Sequence, residues 1–181
     1  DVYKRQEFGQ VVAAILDGGA PTIGIESTVL DLTGPQPSIL RPGAISAADL
    51  AEIVGRPVGR MERDEGPRAP GRMAAHYAPH ARLELIAPDQ LQDRAAELRD
   101  TGARIAVLSP EPASVPGAVL VADHLEHDSR YAHELYATMS RADAAGVDVI
   151  LAIPPTGSGL AEAVRDRLQR ASSSEPAAGG R

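Results

Sequence analysis

Short apolar segments alternate with amphipathic segments through the second half of this chain, and this alternation constrains the fold more than any other feature. Four segments have the length and the Val, Ile and Leu content of buried strands: "ARLELIA", "ARIAVLS", "GAVLVAD" and "VDVILAIPP". Three others place apolar residues at helical spacing: "QLQDRAAELRDTG", "SRYAHELYATMSRADAAG" and "GLAEAVRDRLQRA". Strands that alternate with helices form a mostly parallel sheet with helices on its faces. Residues 81–172 are therefore predicted to form an α/β domain.

Capping residues set the expected ends of these helices. Asp89 is expected to cap the first helix, and Gly102 is expected to end it. The second helix is predicted to run from Ser129 to about Ala145, with Gly146 as its C-terminal stop.

Residues 7–55 show a shorter pattern of the same kind. The spacing predicts a helix over Glu7–Leu16, a strand over "IGIESTVLDL" and a second strand over Ser38–Arg41. Ser46 is expected to cap a short helix in "AADLAEIVG". A unit of two strands and two helices is too small to bury a core alone. These residues are therefore predicted to be part of a larger domain.

Residues 56–80 are rich in Gly, Pro, Arg and Glu and are predicted to be a linker. Within and just beyond them lies "GPRAPGRMAAHYAPHA", in which prolines and glycines interrupt any helix or strand period. The segment nevertheless carries four side chains capable of chemistry, namely Arg72, His76, Tyr77 and His80.

The two ends of the chain are set aside from this fold prediction. Residues 1–6, "DVYKRQ", are polar, lack an initiator Met and are predicted to be a non-native scar, which would make the chain a fragment of a longer protein. Residues 173–181 lack large apolar side chains and are predicted to be a disordered tail.

Charge and composition narrow the classes of function. With 18 Lys and Arg against 25 Asp and Glu, the net charge of −7 argues against a protein that coats nucleic acid or an anionic membrane. A small polyanion such as a nucleotide could still bind in a local basic pocket. The absence of Cys excludes disulfides and thiolate metal sites. No apolar run approaches the roughly 20 residues of a membrane span, and no signal peptide is visible, so the cytoplasm is the expected compartment.

Polar residues within the first two predicted strands allow two interpretations each. Ser27 and Thr28 could reflect ordinary strand composition, or they could present hydroxyls to a polar ligand. Arg41 ends an apolar strand, where its guanidinium could form a surface ion pair or hold a phosphate through two parallel hydrogen bonds.

Metal binding is not predicted at either histidine-containing segment. His76 and His80 lie four residues apart, but Pro79 argues against the helix that would bring both imidazoles to one face. The segment Asp123–Asp128, "DHLEHD", precedes a helix, and its acidic residues are expected to serve as caps and partners of the helix dipole.

The last predicted helix carries three arginines. Arg165, Arg167 and Arg170 are expected to form a solvated face paired with Glu162 and Asp166. The preceding "PPTGSGL" could offer backbone amides to an anion, or it could simply be a tight turn that requires glycine.

Taken in order, several stretches resemble the long, two-domain form of the threonylcarbamoyl-AMP synthase family, whose catalytic domain is called YrdC-like. They are "ILDGG", "GIESTVLDL", "ILRPGAIS", "PGRMAAHYAP", "AGVDVILA" and "GSGLAEAVRDRLQRA". The resemblance implies that residues 7–55 are the C-terminal portion of a YrdC-like α/β catalytic domain. It further implies that residues 56–80 are a lid-like linker and that residues 81–172 are a small Rossmann-like parallel-sheet domain.

The resemblance also implies roles for four residues, although it assigns no catalytic side chain. Ser27 matches the hydroxyl that contacts the threonine substrate, and Arg41 matches an arginine that contacts ATP. His76 and Tyr77 lie in the linker that, in this family, folds over the catalytic cleft and helps to close it over the nucleotide.

The implied reaction joins L-threonine, bicarbonate and ATP into threonylcarbamoyl-AMP and releases pyrophosphate. Magnesium is expected with the triphosphate. Other proteins, the downstream tRNA-modifying transferases, pass the group to an adenosine of tRNA, so tight binding of nucleic acid by this chain is not expected.

The sequence departs from the family pattern in two ways. The Lys-x-Arg and Ser-x-Asn segments expected upstream of "DGG" are absent, and Lys4 is the only lysine, so this chain alone is expected to be inactive. In the linker, Ala74-Ala75 replaces a bulkier, basic pair. The alternative interpretation is that residues 81–172 form a non-catalytic regulatory or nucleotide-binding α/β module.

Overall fold

The computed structural model describes residues 11–61 and 78–173, apart from positions 20, 124 and 126. No helix within these ranges is long and apolar enough to cross a membrane. The described elements are, in chain order, β1 (Val29–Asp31), β2 (Ser38–Arg41), α1 (Ala47–Val54), β3 (Gly59–Arg60), β4 (Arg82–Leu85), a 3-10 turn (Pro88–Gln90), α2 (Leu91–Asp100), β5 (Ile105–Leu108), β6 (Leu120–Ala122), α3 (Asp128–Ala144), β7 (Val149–Ala152) and α4 (Leu160–Ser173).

The parallel-sheet unit (residues 78–173) has the predicted α/β architecture. Its four strands are all parallel and lie in the order β4-β7-β5-β6. Side chains alternate between the two faces of the sheet. Ile105 and Val107 pack with α2 on one face, whereas Ala106 and Leu108 pack with α3 and α4 on the other. Helices cover both faces, which is why the central strands β5 and β7 are continuous apolar runs. The prediction of a buried strand in "GAVLVAD" is wrong, because β6 lies at an edge of the sheet and is partly exposed.

The helix ends follow the prediction, with one error. Helix α3 spans Asp128–Ala144, within one residue of the expected bounds. Asp89 does not cap α2, because it lies inside the 3-10 turn Pro88–Gln90 and α2 begins at Leu91. Proline is favoured in the first turn of a helix, so the helical conformation starts one residue before the predicted cap.

The hairpin unit (residues 21–61) contains the three-stranded sheet β1-β2-β3. Strands β1 and β2 are antiparallel, and β3 pairs with β2 in parallel. Strand β3 falls inside the segment predicted as linker, so the sheet extends further along the chain than the sequence indicated. The predicted cap of α1 is confirmed: Ser46 and Asp49 form a reciprocal capping box.

In the hairpin unit and in the residues that precede it, two predictions of regular structure are wrong over part of their length. Residues 11–16 of the predicted helix Glu7–Leu16 form turns and irregular backbone, and residues 7–10 lie outside the described part. Leu16 is 95% exposed, so this segment does not bury the apolar face from which a short helix gains most of its stability. The strand expected over "IGIESTVLDL" is reduced to the three residues of β1.

The segment before β1 is irregular because it lies directly on α3 of the parallel-sheet unit. Gly24 has a φ of 81°, and a Cβ added there would lie 2.4 Å from the Cα of His133 and 2.7 Å from the carbonyl oxygen of Ala132. The His133 ring nitrogen Nδ1 is 3.0 Å from the carbonyl oxygen of Pro21. Backbone therefore rests on backbone at this contact, and only glycine fits.

Candidate functional site

The open end of the β1–β2 hairpin brings the two predicted site residues of this unit into contact. Arg41 is the last residue of β2 and pairs with Val29 across the hairpin. Its side-chain Nε donates to the backbone carbonyl oxygen of Ser27 at 3.1 Å. Arg41 is buried, whereas Ser27 is exposed. We call residues 26–28 and 41–43 together the hairpin mouth.

Gly43 allows the two sides of the hairpin mouth to pack without a gap. A Cβ at this position would lie 2.2 Å from the backbone nitrogen of Thr28 and 2.6 Å from the carbonyl carbon of Ser27. The Thr28 hydroxyl donates to the carbonyl oxygen of Ile45 at 2.8 Å and accepts from the backbone N–H of Ile45 at 3.2 Å. Of the two hydroxyls considered from sequence, that of Thr28 is thus engaged in holding the backbone.

Glu26 connects the hairpin mouth to the parallel-sheet unit. Its Oε2 accepts from Arg167 Nε at 2.8 Å and from the Tyr136 hydroxyl at 3.1 Å. Burial raises the pKa of Glu26, but the hydrogen bond and charge of Arg167 outweigh it, so the pKa lies below its ordinary value. Glu26 is therefore an anion at neutral pH, and burial raises the pKa of Tyr136, which keeps that phenol protonated as a donor.

Asp166 is the second anion of this interface. Its Oδ2 accepts from Arg167 Nη1 at 2.7 Å and from Arg170 Nε at 2.8 Å, and Arg60 Nη2 of β3 lies 3.4 Å from Oδ1. Burial raises the pKa of Asp166, but the hydrogen bond from Arg170 and the charges of the surrounding arginines bring it below its ordinary value. Arg60 also pairs with Glu162, which lies closer to solvent.

The predicted solvated face of the last helix is therefore wrong for two of its three arginines. Arg167 and Arg170 are buried, with 5% and 6% of their surfaces exposed. Arg165 instead donates to the carbonyl oxygens of Pro155 and Gly157. The spacing of the apolar residues in the sequence could have indicated this burial. Position 167 lies one helical turn after Ala163 and Val164, so an arginine there occupies the buried stripe of α4.

Burial lowers the pKa of Arg41, while the nearby carboxylate of Glu26 opposes that shift. A guanidinium remains charged at neutral pH even with such a shift. The hairpin mouth therefore contains the Arg41 cation, the exposed residue Ser27 and the Glu26 anion, and the charge of Glu26 is paired with Arg167. With Glu26 paired in this way, Arg41 and Ser27 suit an anionic ligand that also carries a polar group. His76 and Tyr77, the other two predicted site residues, lie outside the described residues.

A concavity lies at the carboxyl ends of β5 and β7, and the hairpin mouth contributes no residue to its lining. Its volume is about 450 Å³, and Ser109, Glu111, Asp128 and Thr156 are among its lining residues. Two carboxylates at its edge would repel the phosphates of a nucleotide. This concavity does not favour the alternative of a nucleotide-binding module. Within the described ranges, no group of three or more His, Asp or Glu side chains could hold a metal ion.

Acid is expected to weaken the contact between the two units. A carboxyl whose pKa is lowered by folding adds stability above its ordinary pKa, 4.5 for Glu26 and 3.8 for Asp166, and loses it as the pH falls through the folded value. At neutral pH the unaltered chain should therefore melt at a higher temperature than Glu26→Gln. The difference should shrink as the pH falls below about 5. A difference that stays constant over this range would contradict the assignment.

The chain is similar in sequence and in fold to several known proteins. A family model described as "Threonylcarbamoyl-AMP synthase, C-terminal domain" matches residues 45–173. Threonylcarbamoyl-AMP synthase of Bacillus subtilis is 35% identical, over 94% of this chain and 50% of that protein. The crystal structure of Pyrococcus abyssi Sua5 complexed with L-threonine matches with a TM-score of 0.79 at 29% identity, over 93% of this chain and 52% of that one.

A second Pyrococcus abyssi Sua5 structure, of a variant with alanine in place of a histidine and the tyrosine that follows it, also matches. Its TM-score is 0.74 at 29% identity, over 86% of this chain and 47% of that one. The chain spans about half the length of the curated relatives it matches.

Proposed function

Because this chain belongs to the threonylcarbamoyl-AMP synthase family, we propose that its hairpin mouth is part of a site that makes threonylcarbamoyl-AMP. The observation that carries the proposal is the hydrogen bond from the buried Arg41 side chain to the backbone carbonyl oxygen of Ser27, a residue that is itself exposed. The similarity to a relative complexed with L-threonine supports the substrate assignment.

In the proposed reaction, the amine nitrogen of L-threonine forms a bond to the carbon of bicarbonate, one C–O bond of bicarbonate breaks with release of water, and a carbamate results. A carbamate oxygen attacks the α-phosphorus of ATP, and pyrophosphate leaves with the electron pair of the broken P–O bond. ATP enters as its magnesium complex. Such a step depends on positioning and on neutralising phosphate charge, so a buried arginine and a hydroxyl suit it without a covalent intermediate.

Each predicted site residue has a role in this proposal. Ser27 binds L-threonine through its hydroxyl, and Arg41 binds ATP through its guanidinium. His76 and Tyr77 belong to a lid that closes over the nucleotide. The relative in which a histidine-tyrosine pair was replaced by alanine supports their inclusion, because His76-Tyr77 is the one such dipeptide in this sequence. The acceptors of the product would be the tRNA-modifying transferases, with the cytoplasm as the compartment predicted from the sequence.

Replacing Ser27 by alanine is expected to raise the KM for L-threonine by about tenfold, the effect of losing one hydrogen bond to a charged substrate. The KM for ATP should change little. The assay is pyrophosphate release from ATP, L-threonine and bicarbonate, with protein made from the complete reading frame that contains these residues.

Ser38→Ala is the matched control, because the Ser38 hydroxyl donates to the carbonyl oxygen of Gln36 at the other end of the hairpin. It should retain the unaltered KM values. No turnover by the unaltered protein would refute the proposed function. Turnover with an unchanged threonine KM in Ser27→Ala would remove Ser27 from the site.

A further inference from the structure

Arg167 of α4 holds both sides of the hairpin mouth at once. Its Nε donates to the Glu26 carboxylate at 2.8 Å, and its Nη2 donates to the backbone carbonyl oxygen of Pro42 at 3.1 Å. Its Nη1 donates to Asp166 at 2.7 Å, which anchors the guanidinium to its own helix. Each of the three guanidinium nitrogens therefore contacts a different segment of the chain.

The two segments held in this way are the ones that carry the proposed substrate residues. Glu26 immediately precedes Ser27, and Pro42 immediately follows Arg41. The bond from Arg41 to the Ser27 carbonyl joins the same two segments directly. A shift of Arg167 would thus move Ser27 and Arg41 relative to each other.

This arrangement has geometric requirements that simple apolar packing would not have. The planar fork of a guanidinium fixes the directions of its hydrogen bonds, which a lysine ammonium does not. Burying an ion pair of this kind contributes little net stability compared with apolar side chains of similar volume. The contact with Tyr136 further fixes the Glu26 carboxylate from a second helix. The cluster is therefore better suited to fixing the positions of the segments that it joins than to stabilising the fold.

We propose that Arg167 is a positioning residue of the synthase site, through which the parallel-sheet unit sets the separation of Ser27 and Arg41. This inference rests on the proposed function. It gives the parallel-sheet unit a part in the reaction although Arg167 itself contacts neither substrate.

Pyrophosphate release by Arg167→Met and Arg167→Lys, in the protein made from the complete reading frame, tests the proposal. Arg167→Met should raise the KM for both L-threonine and ATP by about tenfold or more, because small displacements of positioning groups are costly. Arg167→Lys keeps the charge but cannot hold Glu26 and Pro42 together, so both KM values should remain raised. A purely structural role would instead lower the active fraction, reducing kcat at unchanged KM.

Arg94→Met is the matched control. Arg94 forms a two-point pair with Glu84 inside the parallel-sheet unit, with Nε and Nη2 at 2.8 and 3.0 Å from the two carboxylate oxygens. Its loss should leave both KM values unchanged. If Arg167→Met does not fold, Arg167→Lys and Glu26→Gln provide the same comparison.

If the parent protein is active and the folded Arg167 variants have unchanged KM values, the inference is wrong but the proposed function stands. An inactive parent protein would overturn the proposed function and the inference with it.

Discussion

Alanine at position 43 is expected to disrupt the hairpin mouth more than any other single added methyl group. The added Cβ would lie 2.2 Å from the Thr28 nitrogen and 2.6 Å from the Ser27 carbonyl carbon, and these backbone atoms cannot move aside as a flexible side chain could. The free energy of unfolding should fall by about 3 kcal/mol, at the upper end of overpacking effects. Since the clash separates Ser27 from Arg41, kcat/KM for pyrophosphate release should fall by about a hundredfold.

Gly34→Ala is the control for this substitution. Gly34 lies in the turn of the same hairpin, where an added Cβ would approach the Gln36 carbonyl oxygen only to 3.9 Å. Urea denaturation and the pyrophosphate assay should show this variant close to the unaltered protein. Similar losses in both glycine variants would mean that the hairpin is generally intolerant, and that the close contact at Gly43 is not the cause.

Removal of the Asp166 carboxylate is expected to be the most destabilising change in α4. The Asp166 side chain is 2% exposed and lies between the guanidiniums of Arg167 and Arg170. Asp166→Ala would bring these two buried cations together without the intervening anion. Breaking a buried ion pair by removal of one partner costs about 3–5 kcal/mol, and urea denaturation should show a loss of this size.

Glu162→Ala provides the comparison on the same helix. Glu162 also pairs with Arg60, but its side chain lies closer to solvent, where an ion pair contributes at most about 1 kcal/mol. If Asp166→Ala loses no more free energy of unfolding than Glu162→Ala, the buried Asp166 carboxylate is not the more important of the two anions for stability.

The parallel-sheet unit could be predicted from its sequence because its elements are bounded by local signals. Apolar runs such as that of β7 (Val149–Ala152) have the composition of buried strands, and α3 ends within one residue of the predicted position. The start of α2 is set by the conformation of a turn that begins with proline. Residue spacing alone does not reveal that conformation, so the predicted start is wrong. The helix predicted over Glu7–Leu16 failed in its described part because amphipathic spacing cannot show whether a partner surface exists.

The contact between Ser27 and Arg41 could be anticipated, whereas the cluster behind it could not. Arg41 ends β2 and pairs with Val29, and Ser27 lies two residues before Val29, so pairing of the hairpin brings them together. The sequence alone favours a solvated position for Arg167, because Asp166 and Glu162 lie close to it along the helix as ion-pair partners. Its burial results from contact with Glu26, 141 positions away in the sequence, and helical spacing carries no information about so distant a partner.

The backbone contact at Gly24 limits how the two units can move. Since no side chain separates this residue from α3, there is no compressible layer at this point along which the hairpin unit could slide. Shear between packed elements relies on such a layer of adaptable side chains. Any opening of the interface must therefore occur as a hinge that lifts Gly24 off the helix and exposes the charges of Glu26 and Arg167 to water in the same step.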